Sequence, residues 1–250
     1  MAHDLGVSYF DTAPSYGAGI AEQELGRFLP DKRSKVVLTT KFGIPTGRLG
    51  SMIPGWNYAA MAGRLAKRLV ASHRRAKLPR RDFSAVQAKS TLEDSLRALR
   101  TDYVDILYLH EPALELLTDA EGLADTLEEL KAAGKVRYVG LAGHASSCTG
   151  IARRHPRLAQ VLQIEVAADS DGLPNKASPD TAAAAVTFWE FAAGPVAAER
   201  LRTTVERVLA AAPHGVTLLS TNSGASLREA VAICGQFERS TKCSATSSLA

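Results

Sequence analysis

The sequence predicts an α/β protein whose parallel strands close into a barrel of the (β/α)8, TIM-barrel type. Three observations carry this. Short apolar runs rich in β-branched residues alternate with amphipathic stripes along most of the 250 residues. The order β, α, β, α requires parallel strands joined by crossover helices. Second, Asp11, Lys41 and His110 each close a different apolar run, and in a closed barrel the C-terminal strand ends ring one mouth. Third, the competing architecture, a doubly wound sheet holding a dinucleotide, places G-x-G-x-x-G directly after its first strand. Here Gly17 and Gly19 are followed by Glu22 in the third position, and the run starts several residues beyond the strand.

The elements follow in order. "GVSYF" reads as a strand ending at Asp11, and Tyr16 comes next in a turn rich in Pro, Ser and Gly. Lys35 to Thr40 is a strand ending at Lys41. From Lys41 to Ser90 runs a long connection, of the kind that serves as a lid or shapes a substrate pocket; Met61, Leu65 and Leu69 are spaced for a short helix within it. Ser90 with Glu93 has capping-box spacing, and Leu92, Leu96 and Leu99 follow as a helical stripe. Tyr103 to Leu109 is a strand ending at His110. Thr118 with Glu121 repeats the capping spacing, Leu123, Leu127 and Leu130 form the stripe, and Gly134 stops the helix. Lys135 to Ala142 is a strand ending at Gly143 and His144; Ala159 to Ala167 is another and carries Gln163. Val186 to Phe191 and Gly215 to Ser220 are the last strands, the second ending at Thr221 and Asn222. Helices are expected at Ala197 to Ala211 and Ser226 to Cys234. The small, polar end of the chain reads as a flexible tail, giving one barrel domain over 1–236 and a tail over 237–250.

Composition narrows the function. Hydrophobic residues at 46% and charged residues at 22% allow a sizeable core in a soluble protein. No apolar run nears the ~20 residues that span a bilayer, and no signal-peptide pattern opens the chain, so a cytoplasmic protein without a membrane partner is expected. Three scattered cysteines without C-x-x-C argue against a disulfide framework. The six histidines form no H-x-H or H-E-x-x-H, which disfavours a metal-dependent barrel hydrolase. Much of the net charge of +4 lies in the run from Arg64 to Arg81. Without interleaved aromatics it reads as a solvated face, not a nucleic-acid site.

Tyr16, Lys41, Asp11 and His110 at one mouth make a workable proton-donating device. A phenol is a weak acid, with a pKa near ~10. A neighbouring ammonium favours its anion, a carboxylate holds that ammonium in place, and a neutral imidazole can orient a carbonyl oxygen. Such a site could protonate an alkoxide as hydride reaches the carbonyl carbon. Each residue also has a structural reading: a turn cap, a loop aromatic, a snorkelling lysine, a buried histidine. Four compatible types at one mouth favour the chemical one.

Here a resemblance becomes specific. "GVSYFDTAPSYGAGIAEQELGRFL" resembles the first signature of the aldo-keto reductase family; Gly6, Phe10, Asp11, Thr12, Ala13, Tyr16, Gly17, Leu25 and Gly26 fit, and Glu22 or Glu24 takes the acidic place. "VVLTTKFG" resembles the strand with the family's lysine, "SLRALRTDYVDILYLHEP" the segment with its histidine, and "GKVRYVGLAGH", "LQIEV" and "LREAV" three later motifs, so the resemblance spans Gly6 to Val231. It implies a metal-free (β/α)8 reductase using NADP or NAD, with Tyr16 as general acid, Lys41 as its activating partner, Asp11 as the partner of Lys41, and His110 orienting the carbonyl. Gln163 would bond the nicotinamide carboxamide.

Three departures qualify the resemblance. The family's strand before "GVSYF" is not in this sequence, so the barrel is expected to be incomplete at its N-terminus. The family's Ser-Asn pair is replaced by Ala142-Gly143, leaving Gly143 and His144 beside the carboxamide. Ser220, Thr221 and Asn222 offer backbone N–H groups to a phosphate, but that loop lacks the basic residues that grip a 2′-phosphate, so NADP is only slightly ahead of NAD. Phe188 or Trp189 is the candidate to stack on the nicotinamide. The expected activity interconverts a small aldehyde, ketone or sugar with its alcohol, in a monomer or homodimer. The alternative is a weakly active or inactive nucleotide-binding sensor subunit on the same barrel.

Overall fold

A computed structural model describes residues 1–45, 81–165, 184–190, 198–211, 215–220 and 223–247. The strands are β1 (Tyr9–Asp11), β2 (Val37–Phe42), β3 (Val104–His110), β4 (Val136–Gly143), β5 (Val161–Glu165), β6 (Ala184–Glu190) and β7 (Val216–Ser220). Each pairs in parallel with its successor, so the sheet order is β1-β2-β3-β4-β5-β6-β7. A doubly wound sheet reverses direction at a switch point; among the described strands this sheet does not, as in a βα barrel. The helices are α1 (Ile20–Phe28), α2 (Ala85–Leu99), α3 (Ala120–Ala132), α4 (Ala145–Arg154), α5 (Ala198–Ala211) and α6 (Gly224–Ser247). The connection helix expected around Met61 lies outside the described residues.

Strand side chains alternate between two cores, as the pleat demands. Leu107, Leu109, Val139 and Leu141 join the large core under the helices, with Leu92, Leu99, Leu123 and Leu127. Ile106, Tyr108, Ala142 and Val161 face the other way and form a smaller inner core with Tyr9 and Leu218. At the strand ends opposite the mouth, buried Asp105 accepts from Arg33 Nη2 at 2.7 Å, Arg137 Nη1 at 2.7 Å and the Leu38 N–H at 2.9 Å. One carboxylate thereby fastens β2, β3 and β4.

Both expected capping boxes fall at the wrong residue. α2 is capped by Ser84, whose hydroxyl accepts from the Gln87 N–H, so Ser90 and Glu93 lie inside the helix. Buried Phe83 and Ala88 carry the packing one turn earlier than the leucine stripe suggests. α3 is capped by Asp119, not Thr118; its carboxylate accepts from the Gly122 N–H at 2.9 Å. Gly134, at φ 72, does follow the end of α3, where a left-handed residue is needed. The last helix runs to Ser247, beyond the Cys234 end that apolar spacing gives. α4 has no counterpart in the sequence reading, because its buried residues Cys148, Ile151 and Ala152 make too short a stripe.

Among the described residues no helix is long and apolar enough to cross a membrane. Among the same residues, no cluster of three or more His, Cys, Asp or Glu is placed to hold a metal ion.

Candidate active site

The site begins with the pleat. Thr39 and Lys41 are two apart on β2, so both turn to the inner face beside Asp11, the last residue of β1; Asp11 is in register with Thr39. The Asp11 carboxylate accepts from Thr39 Oγ1 at 2.6 Å on one oxygen. Its other oxygen accepts from Lys41 Nζ at 2.5 Å and Gln163 Nε2 at 3.1 Å. Lys41 Nζ also donates to the Thr12 carbonyl at 3.0 Å. Lys41 is 2% exposed. Burial holds its pKa below the usual lysine value, and the Asp11 carboxylate offsets this only in part.

Tyr16 stands on a short 3-10 turn, Tyr16–Gly19, that runs directly into α1. Its ring centroid is 4.7 Å from Lys41 Nζ, and the His110 ring meets it edge-on at 5.8 Å. The phenol is 39% exposed, so it can reach a bound molecule. His110 closes β3. Its pKa is pushed down to about 3, first by burial, then by the charges of Lys41 and Arg81. It is therefore a neutral imidazole at ordinary pH.

A row in register links the two halves of the mouth: His110 opposes Ala142, and Ala142 opposes Gln163. Gln163 is 3% exposed, and its Oε1 has no hydrogen-bond partner among the described residues. Gly143 ends β4 opposite Ile164, and His144 is the N-cap residue of α4, so both stand at the same end as Gln163. Ser220 ends β7 in register with Glu190. Thr221 and Asn222 lie outside the described residues. Phe188 and Trp189 belong to β6.

Several residues of this region were not read from the sequence. Beneath Asp11, the Tyr9 and Tyr108 hydroxyls meet at 3.0 Å. Burial raises the Tyr9 pKa to about 12 and pushes Tyr108 up as well, so neither is a proton donor at neutral pH. Gly140 makes room for the Tyr108 ring, because a Cβ there would come within 2.8 Å of Tyr108 Cε1 and 2.3 Å of the Val161 carbonyl. One pattern could have exposed this layer: Tyr9, Thr39 and Tyr108 stand two residues before Asp11, Lys41 and His110. At the rim, Arg81 is ion-paired with Glu111. Glu111 holds a left-handed φ of 51, and its N–H donates to the Ala142 carbonyl at 2.6 Å. Such backbone strain gathers at functional sites.

The arrangement offers one exposed phenol flanked by a buried ammonium and a neutral imidazole, over a carboxylate with three donors. That is the chemistry of proton transfer to an oxygen held at the mouth.

A family profile described as the aldo/keto reductase family matches residues 1–165. D-threo-aldose 1-dehydrogenase of Pseudomonas sp is 31% identical over 163 residues, which is 64% of this chain and 47% of the relative. 6-dehydroglucose reductase of Agrobacterium fabrum is 34% identical over 139 residues, 54% of this chain and 39% of the relative. The chain thus spans less than half the length of these relatives. Among solved structures, an aldo-keto reductase from Bacillus halodurans in its holo form superposes with a TM-score of 0.64 at 18% identity, over 93% of this chain and 78% of that one. Glycerol dehydrogenase from Gluconobacter oxydans gives 0.50 at 25% identity, over 75% and 50%.

Proposed function

The chain belongs to the aldo/keto reductase family, and from that premise we propose that it interconverts a small carbonyl compound and its alcohol, with NADP or NAD as the hydride partner. The observation that carries this reading is the meeting of Lys41 with both Asp11, at 2.5 Å, and the Tyr16 ring, at 4.7 Å, beside a neutral His110.

The dinucleotide would supply hydride to the carbonyl carbon. Around that step, His110 donates a hydrogen bond to the carbonyl oxygen and polarises it. Tyr16 then gives its proton to the same oxygen as negative charge develops there. Lys41 makes the phenol a better acid, because an adjacent ammonium favours the phenolate. Asp11 fixes the ammonium in place, with Thr39 closing its far oxygen. In the oxidative direction the same groups take the proton back. Burial of Lys41 keeps water from weakening its field.

The residues present suit the nicotinamide end of the cofactor. The unsatisfied, buried Gln163 Oε1 is an acceptor for a carboxamide N–H. Gly143 and His144 are the neighbours proposed to complete that contact, and the β7 end from Ser220 to Asn222 is proposed to meet the phosphates. The names of these two relatives point to a sugar among possible substrates.

The test is fluorescence titration with NADPH and NADH, followed by turnover of a simple aldehyde. Tyr16→Phe should keep nucleotide binding and lose turnover by roughly 10²–10⁴-fold. Turnover unaffected by Tyr16→Phe would remove the mechanism. Nucleotide binding with no turnover in the native chain would favour the sensor reading.

A further inference from the structure

Glu22 is a buried carboxyl that the reaction does not use. It lies in the first turn of α1, 3% exposed. Its Oε1 accepts from Thr40 Oγ1 at 2.7 Å. None of the ion pairs among the described residues involves it. Thr40 is the outward-facing neighbour of Lys41 on β2, so Glu22 stands behind the strand that carries the ammonium. The Ser95 hydroxyl of α2 is close enough to act on the carboxyl, yet it makes no geometrically sound hydrogen bond, so Thr40 carries the contact. The charged groups acting on Glu22 are Asp94 of α2, which repels its anion, and Lys41 of β2, which attracts it.

The position of this tie matters because of what precedes it. α1 begins at Ile20, immediately after the Tyr16–Gly19 turn. The first turn of α1 therefore sets where the phenol stands relative to Lys41. α1 is also pinned at its other end, since Gly26 packs so closely on α2 that a Cβ would come within 2.2 Å of the Ala98 carbonyl.

We propose that Glu22 is a positioning residue that works as a neutral acid: accepting from Thr40, it ties the start of α1, and with it the Tyr16 turn, to β2 behind Lys41, and its ionisation would strand an unpaired charge at this depth and strain the packing there. An anion at this depth would have no cation paired with it and would lie near Asp94. Burial, the largest influence, accordingly raises the Glu22 pKa above its usual range; the Thr40 hydrogen bond works against this but does not prevail. A second carboxylate behind Lys41 would also favour the ammonium further. The neutral form leaves Asp11 as the one carboxylate in contact with it. The kinetic half of this inference rests on the proposed function; the stability half does not.

The sign is fixed by the direction of the shift. A carboxyl whose folded pKa lies above its unfolded value contributes most at low pH, and that contribution falls as pH rises from the ordinary glutamate range through the folded value. Glu22→Gln keeps the shape and the acceptor without the titration. Thermal unfolding of the cofactor-free native chain and of Glu22→Gln should be compared from about pH 5 to about pH 9, a range chosen to start near and extend well above the ordinary glutamate pKa. The Tm of the variant relative to the native chain should climb with pH, and kcat should fall less with rising pH in the variant. A Tm difference independent of pH overturns the proposal. Should Glu22→Gln fail to fold, ¹³C-carboxyl labelling of the glutamates in the native chain decides the point. One resonance titrating well above the others supports the proposal, and all titrating together overturns it. If Tyr16→Phe retains turnover, the proposed reaction fails while the pH dependence of Tm still tests Glu22 itself.

Discussion

At Lys41, stability and the proposed chemistry meet. Its ammonium is almost wholly buried against Asp11, and removing one partner of a buried pair strands the other. Lys41→Met should therefore cost about 3–5 kcal/mol in chemical denaturation as well as turnover. Thr39→Val is milder: the Asp11 oxygen loses a short donor but Lys41 remains, so a loss of about 1.5–3 kcal/mol is expected, with nucleotide binding retained. His110 gives a pH signature. Its folded pKa of about 3 lies below the ordinary value of 6.5. The unfolded chain thus binds the extra proton first, and stability falls as pH drops from near 6.5 toward 3. His110→Gln should flatten that part of the curve of Tm against pH. The placing of Asp11, Lys41 and His110 at strand ends was legible because each closes an apolar run, and that of Tyr16 because it follows in the turn after the first. Thr39 and Tyr108 were not, since threonine and tyrosine inside a strand are also ordinary β-formers.

At the level of elements, the strands were easier to read than the helix starts. Strand identity rests on several apolar residues in a row, whereas a cap rests on one side chain. Ser84 and Asp119 cap their helices, but Ser90 and Thr118 share the same chemistry a few residues away, and only packing decides between them. Ser84→Ala should lower stability by roughly 1 kcal/mol, read as a small fall in Tm, while Ser90→Ala should do much less. Gly26 tests the α1–α2 contact. With the Ala98 carbonyl 2.2 Å from an added Cβ, Gly26→Ala has to push the helices apart. A loss of about 1–3 kcal/mol is expected, together with reduced turnover if the Tyr16 turn moves with α1.

Across the whole molecule, the architecture was legible because alternation of strand and helix leaves few topologies, and the missing dinucleotide fingerprint removed the main competitor. Side chains reaching between strands were not legible. The Asp105 clasp and the packing of Tyr108 over Gly140 depend on register, which no single segment encodes. Protection should follow the sheet. β3 is buried along nearly its whole length and pairs on both sides, whereas β1 is three residues long and, among the described residues, pairs only with β2. Hydrogen exchange should therefore be slowest in the β3 amides and much faster in β1.

The unbroken strand order bears on how the chain is made. Each described strand after β1 pairs with the strand just before it in the chain, so among the described strands none has to wait for a later segment before it docks. Assembly can advance stave by stave. The acid–base pair joining β1 to β2 would then be in place long before the last helix has left the tunnel.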